Sequence, residues 1–447
     1  MLHDAYGNQI ETDCVQTVAA VDRYAHSLIT YGTDCGVIFD AVEVDPECLI
    51  VRGHAALLGL FMENNEGTAR ATAHIAAGRA LIEKQKGTVR EQIYFRAVEA
   101  AARHDVTTAI RLHEEIANQW PLDLLSAKLG QLHYFNLGNS NGMRQIAEKV
   151  ITAHNQTAYA WGLLAFGLEE CNELDAADYA GRKAADMVVI EPWAHHAVAH
   201  VCEARGQLDK GVKWLEERTH TWDACNSFMF THNWWHLALF YLDKGDTDQV
   251  LKIYDTRLWG ATQGDQHYSQ DQAGALSMLI RLSLHGIELD RRWEDVTKPI
   301  RKREMMYTQP FLTAHFAYAL ARSGYRAAYE DLIRGIEQHT CDGNTDMQRL
   351  WHAYALPLCQ GLGAHASNSF VLAAQLLGET RPHWQALGGS HAQRDLFEQI
   401  YIDALIRSGC TTDAVPILNA RAAARPGVSS HNKQLAAALL ISEHSNT

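Results

Sequence analysis

Two histidine pairs stand four residues apart, His196 with His200 and His232 with His236, and Glu203 follows the first pair by three. On a helix these intervals stack side chains along one stripe. Two imidazoles so placed suit one tetrahedral cation such as zinc, with Glu203 or Asp271 as a further ligand or as the base that activates water. The metalloprotease motif H-E-x-x-H is absent, since LHEEIAN at 112–118 starts it and lacks the second histidine. A second chemistry fits the same residues. The imidazoles, with Lys128 and Arg394, can hydrogen-bond a carboxylate or another anionic group. In a third reading the rings only pack, each satisfied by a backbone carbonyl or a carboxylate. All three readings stay open at this point.

The segment GGSHAQRD at 388–395 is a second candidate. Ser390 followed by Gln393 has capping-box spacing, so a helix starts there. Its first N–H groups, with Gln393, Arg394 and Asp395 beside them, offer an anion site; Arg394 can instead pair with Glu398 at i, i+4. GNSNG at 138–142 copies the hydrolase pattern G-x-S-x-G but joins two helices, which excludes the strand-turn-helix that motif needs. Neither a GK[ST] loop nor G-x-G-x-x-G occurs, which disfavours nucleotide binding.

These residues sit in a chain of 447 residues with 39 basic and 53 acidic side chains, a net charge of −14. An acidic chain lacks the basic footprint of nucleic-acid or anionic-membrane binding, so neither is expected as a partner. No apolar run reaches the ~20 residues that span a bilayer, and MLHDAYGNQIETD has no signal-peptide pattern. Nine scattered cysteines without a C-x-x-C pair read as reduced thiols of a cytoplasmic protein.

The elements that must position these side chains are helices. Apolar residues recur every three or four positions, and only nine prolines occur. Turn signals at Gly138-Asn139, Gly206-Gln207, Gly245-Asp246, Ser323-Gly324 and Ser408-Gly409 divide the chain into helix hairpins. Their period is close to the ~34 residues of tetratricopeptide units. The clearest copy reads Trp234, Leu237, Ala238, Tyr241, then Gly245, Val250 and Tyr254; others start at Trp161 and His195. The fold expected is all-α, a tetratricopeptide-like α-solenoid with a right-handed superhelix, with closure around a central pocket as one form of it. One domain over 1–447 is expected, with its clearest repeats at about 89–260 and 311–426.

RGHAALLGL at 52–60, HHAVAHVCE at 195–203, HNWWHLALFYLDKGD at 232–246, AHFAYAL at 314–320 and GGSHAQRDLFEQ at 388–399 resemble the tetratricopeptide repeat protein 38 family, in order and nearly end to end. The resemblance implies a helical-repeat chain without partner domains and names no activity.

In such arrays the first helix of each pair lines the concave face. Its lining positions here hold Trp193, His196, His200 and Glu203 in one repeat, and His232 and His236 in the next. Elsewhere they hold Phe166, Glu169 and Glu170, His315, and Lys128, while Trp235 is placed to stack on a ligand. The expectation is a binding protein whose His-rich groove takes a small-molecule or peptide ligand, anionic in character. A metal-assisted hydrolase holding a divalent ion at His196, His200, His232 and His236 is the alternative, and a protein-interaction scaffold stands behind both. Apolar faces near the ends leave a homodimer open.

Overall fold

A computed structural model describes residues 1–260, 263–343, 345–426 and 428. The sequence also reads as a helix at 429–444 and as loops at 260–266 and 342–345; the first lies outside the described residues, as do 261 and 262 of the second and 344 of the third. Among the described residues the chain forms 23 α-helices and one two-stranded hairpin, Leu2–His3 with Gln9–Ile10. The all-α tetratricopeptide-like class therefore holds.

The chain divides into two compact units. The first is Met1–Ala197 with Ala224–Met229; the second is Val198–Asp223 with Phe230–Thr447. In the first unit the hairpins include Val89–Ala102 with Val106–Gln119, Leu124–Asn136 with Ser140–Ile151, and Ala158–Glu170 with Leu174–Met187. In the second they include Ser269–Leu284 with Asp290–Ile300, Pro310–Arg322 with Arg326–Thr340, Leu356–Ala366 with Phe370–Thr380, and His391–Arg407 with Thr411–Ala424. The change of unit falls inside two helices, Pro192–Ala204 and Ser227–Lys244, rather than at a linker.

One backbone position recurs in every clear hairpin. His104, Gly138, Asn172 and Gly206, each 34 residues after the last, all have φ between 59° and 64° and end the first helix. This left-handed cap satisfies the last carbonyls of that helix and turns the chain. Glycine adopts it freely, and asparagine and histidine tolerate it, so the turn persists where glycine does not. The next residue often caps the second helix. Asp105 accepts from the Thr108 amide at 3.1 Å, and Asn139 from the Gly142 amide at 2.9 Å. Asn139 thus opens a helix, and GNSNG is the turn its spacing predicted.

Small residues let the paired helices touch. A Cβ on Gly142 would stand 2.3 Å from the Tyr134 ring, and one on Gly211 would stand 2.2 Å from the Phe240 ring. Gly211→Ala is therefore expected to lower stability by about 1–3 kcal/mol through overpacking, offset by up to ~1 kcal/mol of helix propensity. A fall in the urea midpoint at unchanged slope would show it; a raised midpoint would mean the ring yields without strain.

Candidate functional site

In the second unit, five neighbouring stretches of helix bury polar side chains in one cluster. His200 and Glu203 come from Pro192–Ala204; His232, His236 and Asp243 from Ser227–Lys244; Arg281 from Ser269–Leu284. Asp395 comes from His391–Arg407, while Arg421 lies on Thr411–Ala424 and Arg425 caps its end. All three histidines are buried, His236 completely. Its ring centroid lies 4.6 Å from that of His200 and 4.8 Å from that of His232. Its Nδ1 stands 3.7 Å from Glu203 Oε2.

Trp235 supports this stack. The His232 ring lies parallel to the indole at 5.4 Å, His236 meets it edge-on at 4.8 Å, and the Arg281 guanidinium lies 5.4 Å above it. Of the tryptophan pair, Trp235 is the fully buried one. Trp234, at the repeat's signature position, is only half-buried, against Trp222 at 5.3 Å.

The charges interleave. Arg425 Nη2 donates to Asp243 Oδ2 at 2.5 Å, and its Nη1 lies 4.0 Å from Glu203 Oε1. Arg421 donates to Asp395 Oδ1 at 2.5 Å, and Gln399 donates to Oδ2 at 2.6 Å. Arg281 donates to Ser277 Oγ at 2.5 Å and to the Ala392 carbonyl at 2.8 Å. Burial alone would raise the Asp395 carboxyl, yet Arg421, with Arg281 and Arg425 behind it, holds it well below the usual range. Burial dominates at Asp243, which is pushed up to about 6 despite Arg425. Burial also holds His232 and His236 far below the ordinary histidine value, so both rings are neutral near pH 7.

The remaining second-unit candidates have local partners. Asp271 Oδ1 accepts from Thr231 Oγ1 at 3.1 Å, and Oδ2 accepts from the Asp265 amide at 2.8 Å, so the carboxylate braces a loop. His315 Nδ1 lies 2.8 Å from the Phe311 carbonyl, with Phe311 and Phe397 against its ring. At 388–395 the capping box forms: Ser390 N donates to Gln393 Oε1 at 2.9 Å, and Gln393 N to Ser390 Oγ at 3.3 Å. The turn before it is buried rather than open. Gly389 has φ 81° with the Phe311 ring pressed against it, and Arg394 donates back to the Gly389 carbonyl.

The first unit gathers a different set. Trp193 stacks on His196 with centroids 4.3 Å apart, on Tyr31 at 5.1 Å, and receives Phe166 edge-on at 4.8 Å. Lys128 Nζ sits 3.7 Å above the Tyr31 ring and donates to the Ile29 carbonyl at 3.2 Å. Glu191, almost fully buried, accepts from the Ala194 amide at the start of Pro192–Ala204. Burial pulls the Lys128 amine down to about 7 and pushes the Glu191 carboxyl up to about 8, while their mutual attraction opposes both shifts. Glu170 is buried at the end of Ala158–Glu170. Candidates assigned to one groove are therefore divided between the units: Lys128, Phe166, Glu169, Glu170, Trp193 and His196 in the first, the others in the second.

Sequence reasoning missed Glu191, Asp243, Arg281, Arg421 and Arg425. Arg281 did leave a trace, a lone charge in the apolar run SMLIRLSL. The other four look like ordinary surface charges on amphipathic helices.

Hairpins of this kind define a tetratricopeptide-type helical-repeat protein. No family profile matches the chain. Among solved structures, the human IFIT1 dimer with m7Gppp-AAAA aligns over 88% of this chain and 89% of its own, at 13% identity and a TM-score of 0.44. The same human protein solved with PPP-AAAA aligns over 88% and 90%, at 13% identity and a TM-score of 0.43. A MamA protein aligns over 45% of this chain and 97% of its own, at 16% identity and a TM-score of 0.31.

One expectation is corrected by this comparison. Nucleic acid was excluded on net charge, but a repeat protein similar to this one was solved with the capped oligonucleotide m7Gppp-AAAA. Net charge sums the whole chain, whereas Arg281, Arg421 and Arg425 gather within an acidic one. Acidity therefore does not exclude that class of partner. Among the described residues no helix is long and apolar enough to cross a membrane.

Proposed function

We propose that this helical-repeat binding protein holds a small or peptidic ligand, through an anionic group, at the buried polar cluster of its second unit. His200, His232 and His236 supply hydrogen bonds, Trp235 a flat apolar face, and Arg281 and Arg425 the nearest positive charge. The observation that carries this reading is the burial itself. Desolvating so many ionisable groups is expensive, and hydrophobic residues of similar volume would pack as well or better. Buried groups with strongly shifted proton affinities cluster at functional sites, where burial and charge partners are arranged to shift them. The finer likeness to the tetratricopeptide repeat protein 38 family, a cytoplasmic setting, and one repeat domain over 1–447 belong to the same proposal. The first is supported by the five segments quoted above, the second by the free cysteines, and the third by the helices that run through the change of unit.

The hydrolase alternative gains less support, because Asp271 spends both oxygens on Thr231 and the Asp265 amide. The test is a thermal-shift and calorimetric screen of the full chain against carboxylates, phosphates and short peptides. The double variant His200→Ala, His236→Ala is expected to lose a bound compound at least tenfold while keeping its circular dichroism. Binding that survives in a folded double variant would sink the reading.

A further inference from the structure

We infer that the face formed by the first helices of the first unit's hairpins is a docking groove for an amphipathic helix of a partner protein, one with two aromatic residues two turns apart. The chain's own helix Val15–Thr30, with Tyr31 at its end, fills this groove in cis. This goes beyond the ligand site of the second unit and does not rest on it.

The first argument is reach. Tyr24 packs its ring on His54 of Leu49–Phe61 at 4.6 Å, and His26 meets Tyr159 of Ala158–Glu170 edge-on at 6.2 Å. The Ile29 carbonyl accepts from Lys128 of Leu124–Asn136 at 3.2 Å. Tyr31 lies under the Lys128 amine at 3.7 Å and stacks at 5.1 Å on Trp193, at the start of Pro192–Ala204. One helix and its cap thus touch the first helices of four hairpins. A repeat in an array packs on its neighbours alone, so a helix that touches four lies across the row rather than extending it.

The second argument is shape. Val18, Val21 and Ala25 are buried beside Tyr24, while Gln16, Ala19 and Arg23 face water. That is the stripe by which an amphipathic helix lies in a groove, with Tyr24 and Tyr31 as its anchors. The third argument is incomplete satisfaction. Tyr24 is fully buried, yet its hydroxyl has no hydrogen-bond partner among the described residues, and neither has the indole N–H of Trp193. Buried tyrosine and tryptophan heads usually find one. The Lys128 amine exchanges water for the Ile29 carbonyl and two ring faces, Tyr31 and, at 5.7 Å, Trp193. Deeper between the hairpins polar atoms are matched: His54 Nδ1 meets the Tyr94 hydroxyl at 2.9 Å, and His113 Nδ1 meets Ser126 Oγ at 2.8 Å. The contact is less well satisfied than the hairpins it covers, and elements that give way to a ligand are drawn from such low-stability contacts.

The test uses the full chain and a fluorescein-labelled peptide of residues 15–32. In the parent the tethered helix competes at a roughly millimolar effective concentration, so the peptide should bind weakly. Tyr31→Ala strips the Lys128 and Trp193 contacts from the tethered copy alone. Anisotropy should show the peptide binding this variant at least ~10-fold more tightly than the parent, the worth of one aromatic pair and one cation–π contact. Adding Trp193→Ala should abolish the gain, and a peptide carrying Tyr24→Ala and Tyr31→Ala should not bind. Hydrogen exchange on the parent reads the same step without a variant: amides of 18–30 should exchange ahead of those of 124–136. Exchange of both segments only on global unfolding, or a folded Tyr31→Ala chain that binds the peptide no better than the parent, overturns the inference. A parent that dimerises by swapping this helix, in a dimer the peptide dissolves, overturns the choice of a partner other than a second copy.

Discussion

Asp395→Asn is expected to destabilise the second unit by about 3–5 kcal/mol, the range for removing one partner of a buried ion pair. The carboxylate accepts from Arg421 at 2.5 Å and from Gln399 at 2.6 Å, with Arg281 and Arg425 also attracted to it. Asparagine keeps the shape and loses the charge, leaving buried guanidinium groups facing a dipole. In a unit of this size the melting temperature should fall by roughly 10 °C. The double variant Asp395→Asn, Arg421→Met should recover part of the loss, because the stranded cation is gone. Asp413→Asn, at an exposed site on the neighbouring helix, should stay within ~0.5 kcal/mol. Because the folded carboxyl is held below its unfolded value, this contribution is present above about pH 4 and lost as pH falls further. A parent-like melting curve for Asp395→Asn would show that the arginines are neutralised elsewhere.

The second large effect concerns pH and the first unit. Glu191 is raised from 4.5 to about 8, so the folded state binds more protons than the unfolded one between those values. Its stabilisation is complete below pH 4.5 and is lost as pH rises through 8. Lys128 is lowered from 10.5 to about 7, so its contribution is complete above pH 10.5 and is lost as pH falls through 7. The two limbs slope in opposite directions and leave a minimum of stability near pH 7–8. The acidic limb has a limiting slope of ~1.4 kcal/mol per pH unit, so about 2–4 kcal/mol separates pH 5 from pH 7.5. Glu191→Gln keeps an oxygen for the Ala194 amide and should abolish the acidic limb while retaining the alkaline one. Hydrogen exchange across 124–197 at several pH values reads this unit apart from the rest. A flat profile in the parent would show that the pair is solvated in solution.

The fold was legible because each hairpin carries its own local signals. Small residues such as Gly142 and Gly211 mark helix contacts, and Asn139 and Asp246 mark helix starts. The turns at His104 and Asn172 were less visible, since the left-handed cap is filled there without glycine. At the candidate site, the i, i+4 histidines were legible from periodicity. Their ionic surroundings were not: Arg281 meets the Ala392 carbonyl 111 residues later, and Arg425 meets Asp243 across 182. Such pairings leave no periodic trace. Lys128 shows the same blindness to long-range partners. Its register placed it on the lining face, and periodicity gave no sign that its amine meets Ile29 and Tyr31, 99 and 97 residues earlier.

The bond between Arg425 and Asp243 also bears on the order of events during synthesis. The acidic side chains of Glu203 and Asp243 leave the ribosome long before the guanidinium that compensates one of them. At ~5–20 residues per second, 182 residues take roughly 10–40 s to make. Through most of that interval the nascent hairpins present these carboxylates against Arg281 alone, so they stay hydrated and loosely docked. Closure of the second unit is then a late step, set by arrival of the last described helix, and a ribosome stalled before 411 would display an open, acidic surface to chaperones.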